Sequence, residues 1–151
     1  MNREILFRGK QVDNGKWIQG FYAIQSNHAC FQRELKYTSF ILKDEFMDWG
    51  LGGLAEYEVI PETVGQFTGL HDKNGNKIFE GDIVKVGRKL TINIGYSYPK
   101  LIETSAPTRI FVVIYSVELG CFCLSEKYNT DYETITSDCE IIGNVYDKEK
   151  K

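Results

Sequence analysis

The segment Asp72-Lys-Asn-Gly-Asn76 places three oxygen-bearing side chains, Asp72, Asn74 and Asn76, at alternate positions, the spacing with which a calcium loop begins. Such a loop needs about seven oxygens around a sharp bend: ligands at positions 1, 3 and 5, glycine at 6 and a bidentate glutamate at 12. Counted from Asp72, position 6 is Lys77 and position 12 is Ile83, with Gly75 early and Glu80 at the wrong place. The spacing therefore predicts a turn with no metal. Asn74-Gly75 reverses the chain, and Glu80-Gly81-Asp82 makes a second bend into a strand over Ile83–Val86.

The thiols are the next candidates. Cys121 and Cys123 fall two apart and would share a strand face, and His28, Cys30 and Cys139 supply further ligand types for zinc. Structural zinc ligands usually come from turns, often as C-x-x-C. Gly120-Cys-Phe-Cys-Leu124 instead reads as a buried strand whose cysteines act as small apolar groups. Four cysteines in 151 residues, with no secretion signal, are expected to stay reduced.

No catalytic constellation stands out. There are two histidines, His28 and His71, and no nucleophile elbow, Walker loop or H-E-x-x-H. Gly50-Leu-Gly-Gly53 lacks the strand before and the long helix after that a phosphate cradle requires, and reads as a loop. The chain is expected not to be an enzyme and to carry no cofactor.

Charge order carries more information than any motif. From Asp44 to Asp72 there are acids (Asp44, Glu45, Asp48, Glu56, Glu58, Glu62, Asp72) and no Lys or Arg; from Ile83 to Ile102 there are Lys85, Arg88, Lys89 and Lys100 and no acid. On a chain of net charge −3 this segregation favours two local fields of opposite sign. Tyr96 and Tyr98 add stacking surfaces to the basic stretch. Lys85, Arg88, Lys89, Tyr96, Tyr98 and Lys100 are thus the candidate interaction residues.

Strands must position these groups. Glu4–Arg8 and Trp17–Ile24 flank Asn14-Gly15, a pair suited to the positive-φ positions of a tight hairpin. Tyr37–Leu42, Val59–Leu70, Ile78–Val86, Thr91–Ile94, Arg109–Val117, Cys121–Ser125 and Glu140–Val145 complete the strand list. Leu42–Leu54 is the one helical candidate, capped by Asp44 and ended by Gly50, Gly52 and Gly53. The expected fold is mainly β: an N-terminal hairpin lobe over residues 1–70, an SH3-like small barrel over 71–147 and a charged tail over 148–151. A hydrophobic content of 42% suits a chain that buries about 70% of its unfolded surface. The charged start, MNREILFRG, develops no apolar run of membrane or signal length, so a cytoplasmic protein is expected.

Three stretches, REILFRGKQVDNGKWIQGF at the start, VIPETVGQFTGLHDKNGNKIFEGDIVKV over Val59–Val86 and CEIIGNVYD near the end, resemble the YopX family of phage and prophage proteins. Gly87–Thr108 lies outside the resemblance. The resemblance implies a phage-derived, mainly β protein expressed in a bacterial host's cytoplasm, and carries over no catalytic residue. Two functional expectations follow. The first is an interaction module that forms homo-oligomers or docks a host or phage protein through its acidic and basic faces. The alternative is a single-stranded nucleic-acid binder whose cations meet phosphates while Tyr96 and Tyr98 stack on bases. The net negative charge favours the first.

Overall fold

Runs of β-branched and aromatic residues, broken by glycine-containing turns, set the local conformation. The computed structural model describes residues 4–27, 36–46, 52–87, 89–94, 100–105, 107–126 and 132–147, and their regular structure is strand apart from one 3₁₀ turn. Contacts divide the chain into two compact units, Met1–Gly69 and Leu70–Lys151. No helix among the described residues is long and apolar enough to cross a membrane.

The first unit opens with β1 (Phe7–Lys10) and β2 (Trp17–Asn27), paired antiparallel from Phe7↔Gly20 to Lys10↔Trp17. Their turn uses positive φ at Gly15 alone (66°). Asn14, expected to share that conformation, instead accepts the Lys16 N–H on its Oδ1 at 2.8 Å. A short amide side chain stabilises the bend more cheaply than a left-handed backbone at a residue with a Cβ.

The expected helix is absent from the described part of its segment. β3 (Lys36–Phe46) and β4 (Gly52–Glu58) run through it, with Asp44 opposite Leu54 and Phe46 opposite Gly52; residues 47–51 lie outside the described residues. Gly52 and Gly53 accordingly begin a strand rather than belong to a loop. Two turns of helix have few internal hydrogen bonds, whereas β3 gains a ladder on both edges, with β2 on one side and β4 on the other. Tertiary pairing overrides the local cap signal.

After β4 the chain folds back on β1. Val59 N–H donates to Ser39 O at 2.9 Å, Ile60 N–H to Lys10 O at 2.9 Å, and Val12 N–H to Glu58 O at 3.0 Å. Val59 is 1% exposed and lies against Gly9, where an added Cβ would stand 3.1 Å from the valine Cβ. Pro61, which has no N–H to satisfy, starts a single 3₁₀ turn, Pro61–Thr63. Thr63 ties that turn to β1 by accepting the Lys10 N–H at 2.9 Å. β5 (Gly65–His71) then pairs with β1 through Phe7↔Gln66 and Arg8↔Gly65, so the sheet of this unit runs β4-β3-β2-β1-β5.

In the second unit, the end of β5 turns through residues 72–76 into β6 (Lys77–Phe79), and a second bend leads to β7 (Asp82–Val86). β8 (Lys89–Ile94) and β9 (Lys100–Ser105) follow, then β10 (Arg109–Ser116), β11 (Cys121–Ser125), β12 (Tyr132–Glu133) and β13 (Glu140–Asn144). The main sheet has the order β12-β11-β10-β7-β13, and β8-β9 forms a separate two-stranded sheet. Val86 pairs with Arg109, so β7 and β10 meet directly and the ribbon is an excursion between them. The mainly β class is as expected. Hydrogen bonds among the described residues draw the C-terminal part as this sheet and ribbon, without joining β12 to β13 into a closed barrel.

The core of the second unit gathers Ile78, Val84, Val86, Phe111, Val113 and Leu124, with Ile135 and Cys139. It follows from strict alternation: Val84 and Val86 point in while Lys85 points out.

Candidate interaction surface

Two carboxylates of the second unit, those of Asp72 and Asp82, face inward. Asp72 is 5% exposed, and its carboxylate accepts four N–H donors: Asn74 N at 2.9 Å, Asn76 N at 2.8 Å, Asn76 Nδ2 at 3.2 Å and Ile141 N at 3.3 Å. Burial disfavours the charge, but the hydrogen bonds from Asn76, Ile141 and Asn74 outweigh it and hold the carboxyl below its usual range. The group that opened the calcium question thus acts as the acceptor that shapes the turn. At the second bend Gly81 takes φ 83°, and Asp82, 1% exposed, accepts from Phe79 N at 2.8 Å and Asn144 Nδ2 at 3.3 Å. These two aspartates pin β6, β7 and β13 together.

The thiols divide as well. Cys123 and Cys139 are buried, and burial pushes both thiols up. Cys121, read from sequence as buried beside Cys123, is exposed: it begins β11 opposite Ser116, at the sheet's end, where strand alternation does not guarantee cover. His28 and Cys30 lie outside the described residues. Among the described residues no group of three or more His, Cys, Asp or Glu could hold a metal ion.

Three of the six sequence-derived interaction residues lie among the described residues, on two sheets. Lys85 is exposed in β7, in register with Glu140 on one side and Ile110 on the other. Glu140 is itself bound to Lys73 at 2.6 Å, so the cation and acid fields overlap there. Lys89 and Lys100 belong to the β8-β9 ribbon, paired with Ser105 and Ile94. Arg88, Tyr96 and Tyr98 lie outside the described residues. The acidic stretch is divided too. Asp72 is inside the second unit, while Glu45 accepts from Lys43 Nζ at 2.7 Å and Tyr57 OH at 2.9 Å. The Lys43 hydrogen bond, then that of Tyr57, lowers the Glu45 carboxyl, and the same contact raises the Tyr57 phenol.

What the structure does assemble is a surface on the first unit. Registers β2↔β3 and β3↔β4 put Gly20, Ser39 and Ile41 on the inner face, all buried. The opposite face should be polar in a half-buried antiparallel sheet. Instead it carries a row Phe21–Leu42–Glu56 and, beside it, Ala23–Phe40–Glu58. Phe21 is 58% exposed and Leu54, on the same face, 57%. Trp17 continues the apolar strip toward β1, where the Arg8 guanidinium lies 4.5 Å and the Lys10 ammonium 5.1 Å from the indole centroid. This face therefore has an apolar middle, acids (Asp44, Glu56, Glu58) at the β4 edge and cations at β1.

A cleft of about 250 Å³, lined by Gln11, Val12, Asp13, Glu56, Tyr57 and Glu58, adjoins the acidic edge. It is smaller than the roughly 300 to 1,000 Å³ of small-molecule sites. Sequence reading missed the outer face because Trp17-Ile-Gln-Gly-Phe-Tyr-Ala-Ile24 and Tyr37-Thr-Ser-Phe-Ile-Leu42 are apolar in both registers. The available signal was that lack of alternation, which marks a strand with two apolar faces.

No curated protein matches the chain. Protein EF1440 from Enterococcus faecalis is similar in structure at TM-score 0.45 and 16% identity, over 95% of this chain and 94% of that one. The family model described as YopX protein matches residues 6–150. That match spans nearly the whole length, through both units and both inward-facing aspartates, and the chain belongs to the YopX family.

Proposed function

We propose that this protein acts by binding rather than catalysis, as a self-associating interaction module working in the cytoplasm of a phage-carrying bacterial host. The observation that carries the reading is the outer face of the first unit. Phe21 and Leu54 lie more than half exposed on a sheet face where polar residues are expected. Contiguous exposed apolar surface rimmed by charge is the usual character of a protein–protein contact. Two features of the second unit support this reading: the inward aspartates are held by N–H donors, and burial raises the two core thiols away from the reactive thiolate form.

Sedimentation equilibrium from about 1 µM to 1 mM tests it. The average mass should rise with concentration, with association weakened by salt, because exposed charges are screened beyond about 8 Å. A mass fixed at that of the 17.3 kDa monomer overturns the reading.

A second reading has one observation in its favour: among the described residues the β8-β9 ribbon, bearing Lys89 and Lys100, forms a two-stranded sheet of its own. Under it, single-stranded oligonucleotides bind, and changing Lys85, Arg88 and Lys89 together to Glu abolishes binding while leaving solution mass unchanged. Fluorescence anisotropy on that variant separates the two.

A further inference from the structure

We infer that the partner of the outer face is the same face of a second copy, related by a two-fold axis lying in the interface and parallel to β2 and β3. This rests on the self-association reading and specifies its surface and symmetry. The order β4-β3-β2-β1 puts acids on one flank and cations on the other. Glu56 and Glu58 alternate outward on β4, and Asp44 accompanies them on β3. Arg8 and Lys10 alternate on β1 opposite Gln19 and Trp17, with Trp17 sharing the face of Phe21. Three strand spacings, about 14 Å, separate the flanks.

Rotation about an axis parallel to the strands exchanges left and right. It therefore lays the acidic β4 flank of each copy over the cationic β1 flank of the other, twice, while in the middle Phe21 of each copy meets Leu42 of the other. Rotation about an in-plane axis perpendicular to the strands lays acid on acid and cation on cation, and is disfavoured. A patch complementary to itself in this way closes a dimer and stops, because an isologous contact leaves no second copy of the surface free. A standard interface buries about 800 Å² per partner, whereas of the apolar side chains named on this face only Phe21 and Leu54 are more than half exposed. The dimer is expected to be concentration-dependent, with the charged flanks fixing its orientation.

The test is charge exchange, read by sedimentation and by chemical denaturation of each variant. E56K/E58K puts cations on both flanks, with Asp44 the one named acid left, and R8E/K10E puts acids on both, so each alone should weaken self-association tenfold or more. Mixed one to one they should form a heterodimer at least as readily as the wild type forms its dimer, since both flanks become attractive. The four changes in one chain should restore the homodimer. Phe21→Ser and, separately, Leu54→Gln should weaken association without lowering stability.

A wild type that dimerises but ignores all these variants overturns the assigned face while leaving self-association standing. A mass that climbs past the dimer overturns the symmetry. A wild type monomeric throughout overturns both. If R8E/K10E fails to fold, E56K/E58K against Phe21→Ser still decides the face.

Discussion

Asp72 and Asp82 in the second unit, and Glu56 and Glu58 in the first, are the same functional group in opposite settings. The aspartates are buried and accept N–H bonds from backbone and from asparagine side chains. The glutamates stand exposed on an edge strand beside apolar side chains that are also exposed. In the first setting a carboxylate is a structural acceptor whose loss strands buried donors. In the second it is a surface charge whose value lies in what approaches it. The same contrast holds for the apolar residues: Val84, Phe111 and Val113 are sealed in a core, while Phe21 and Leu54 are presented to solvent.

The largest expected effect is at Asp82. Asp82→Ala leaves the Phe79 N–H and the Asn144 amide without their acceptor at 1% exposure, and should cost about 3 kcal/mol. Residue-resolved hydrogen exchange should locate the loss in β7, β10 and β13. A cost below about 0.5 kcal/mol would break the distinction between the two kinds of carboxylate.

Asp72 sharpens the comparison through pH. Its folded pKa lies below the unfolded value, so the stability it contributes is fully present above the unfolded carboxyl range and is lost as pH falls through the folded pKa. Between neutral pH and about pH 3 the wild type should lose more stability than Asp72→Asn, whose turn no longer titrates. At neutral pH the substitution should cost about 1 to 2 kcal/mol, because the amide keeps only part of the acceptor set. Denaturant midpoints for the two proteins across that range are the measurement, and parallel pH curves would show that Asp72 is not the titrating group.

The smallest effect belongs to the edge strand. Changing Glu56 and Glu58 together to Gln should alter stability by less than about 0.5 kcal/mol, since exposed charges contribute little to folding. Thermal melts check this. A drop of several degrees would mean that the acids support the strand instead of serving what binds it.

The turns were legible in the sequence because their causes are local. Gly15 and Gly75 take the positive φ that residues with a Cβ avoid, and Asp72 followed by Asn74 and Asn76 already contains the donors and acceptor of its own bend. The alternation Ile83-Val-Lys-Val86 was likewise enough to set Val84 and Val86 inside and Lys85 outside. Family membership needed no geometry either, since long stretches at both ends and in the middle carry it. The helix expected over Leu42–Leu54 failed for the complementary reason. Asp44 and the following glycines are good local stop and start signals, but β3 is already held by β2 from Asn27↔Lys36 to Phe21↔Leu42, and its extension pairs Asp44 with Leu54 and Phe46 with Gly52 of β4, a ladder that no local cap signal counts. The outer face belongs to the same class of question. Phe21, Leu42 and Glu56 are far apart in the chain and become one row only through two strand registers, and which side of that row meets the core depends on Ile41 and Val59 being buried opposite it. Sequence determined where this chain bends and which residues alternate; pairing at a distance decided which face was left outside.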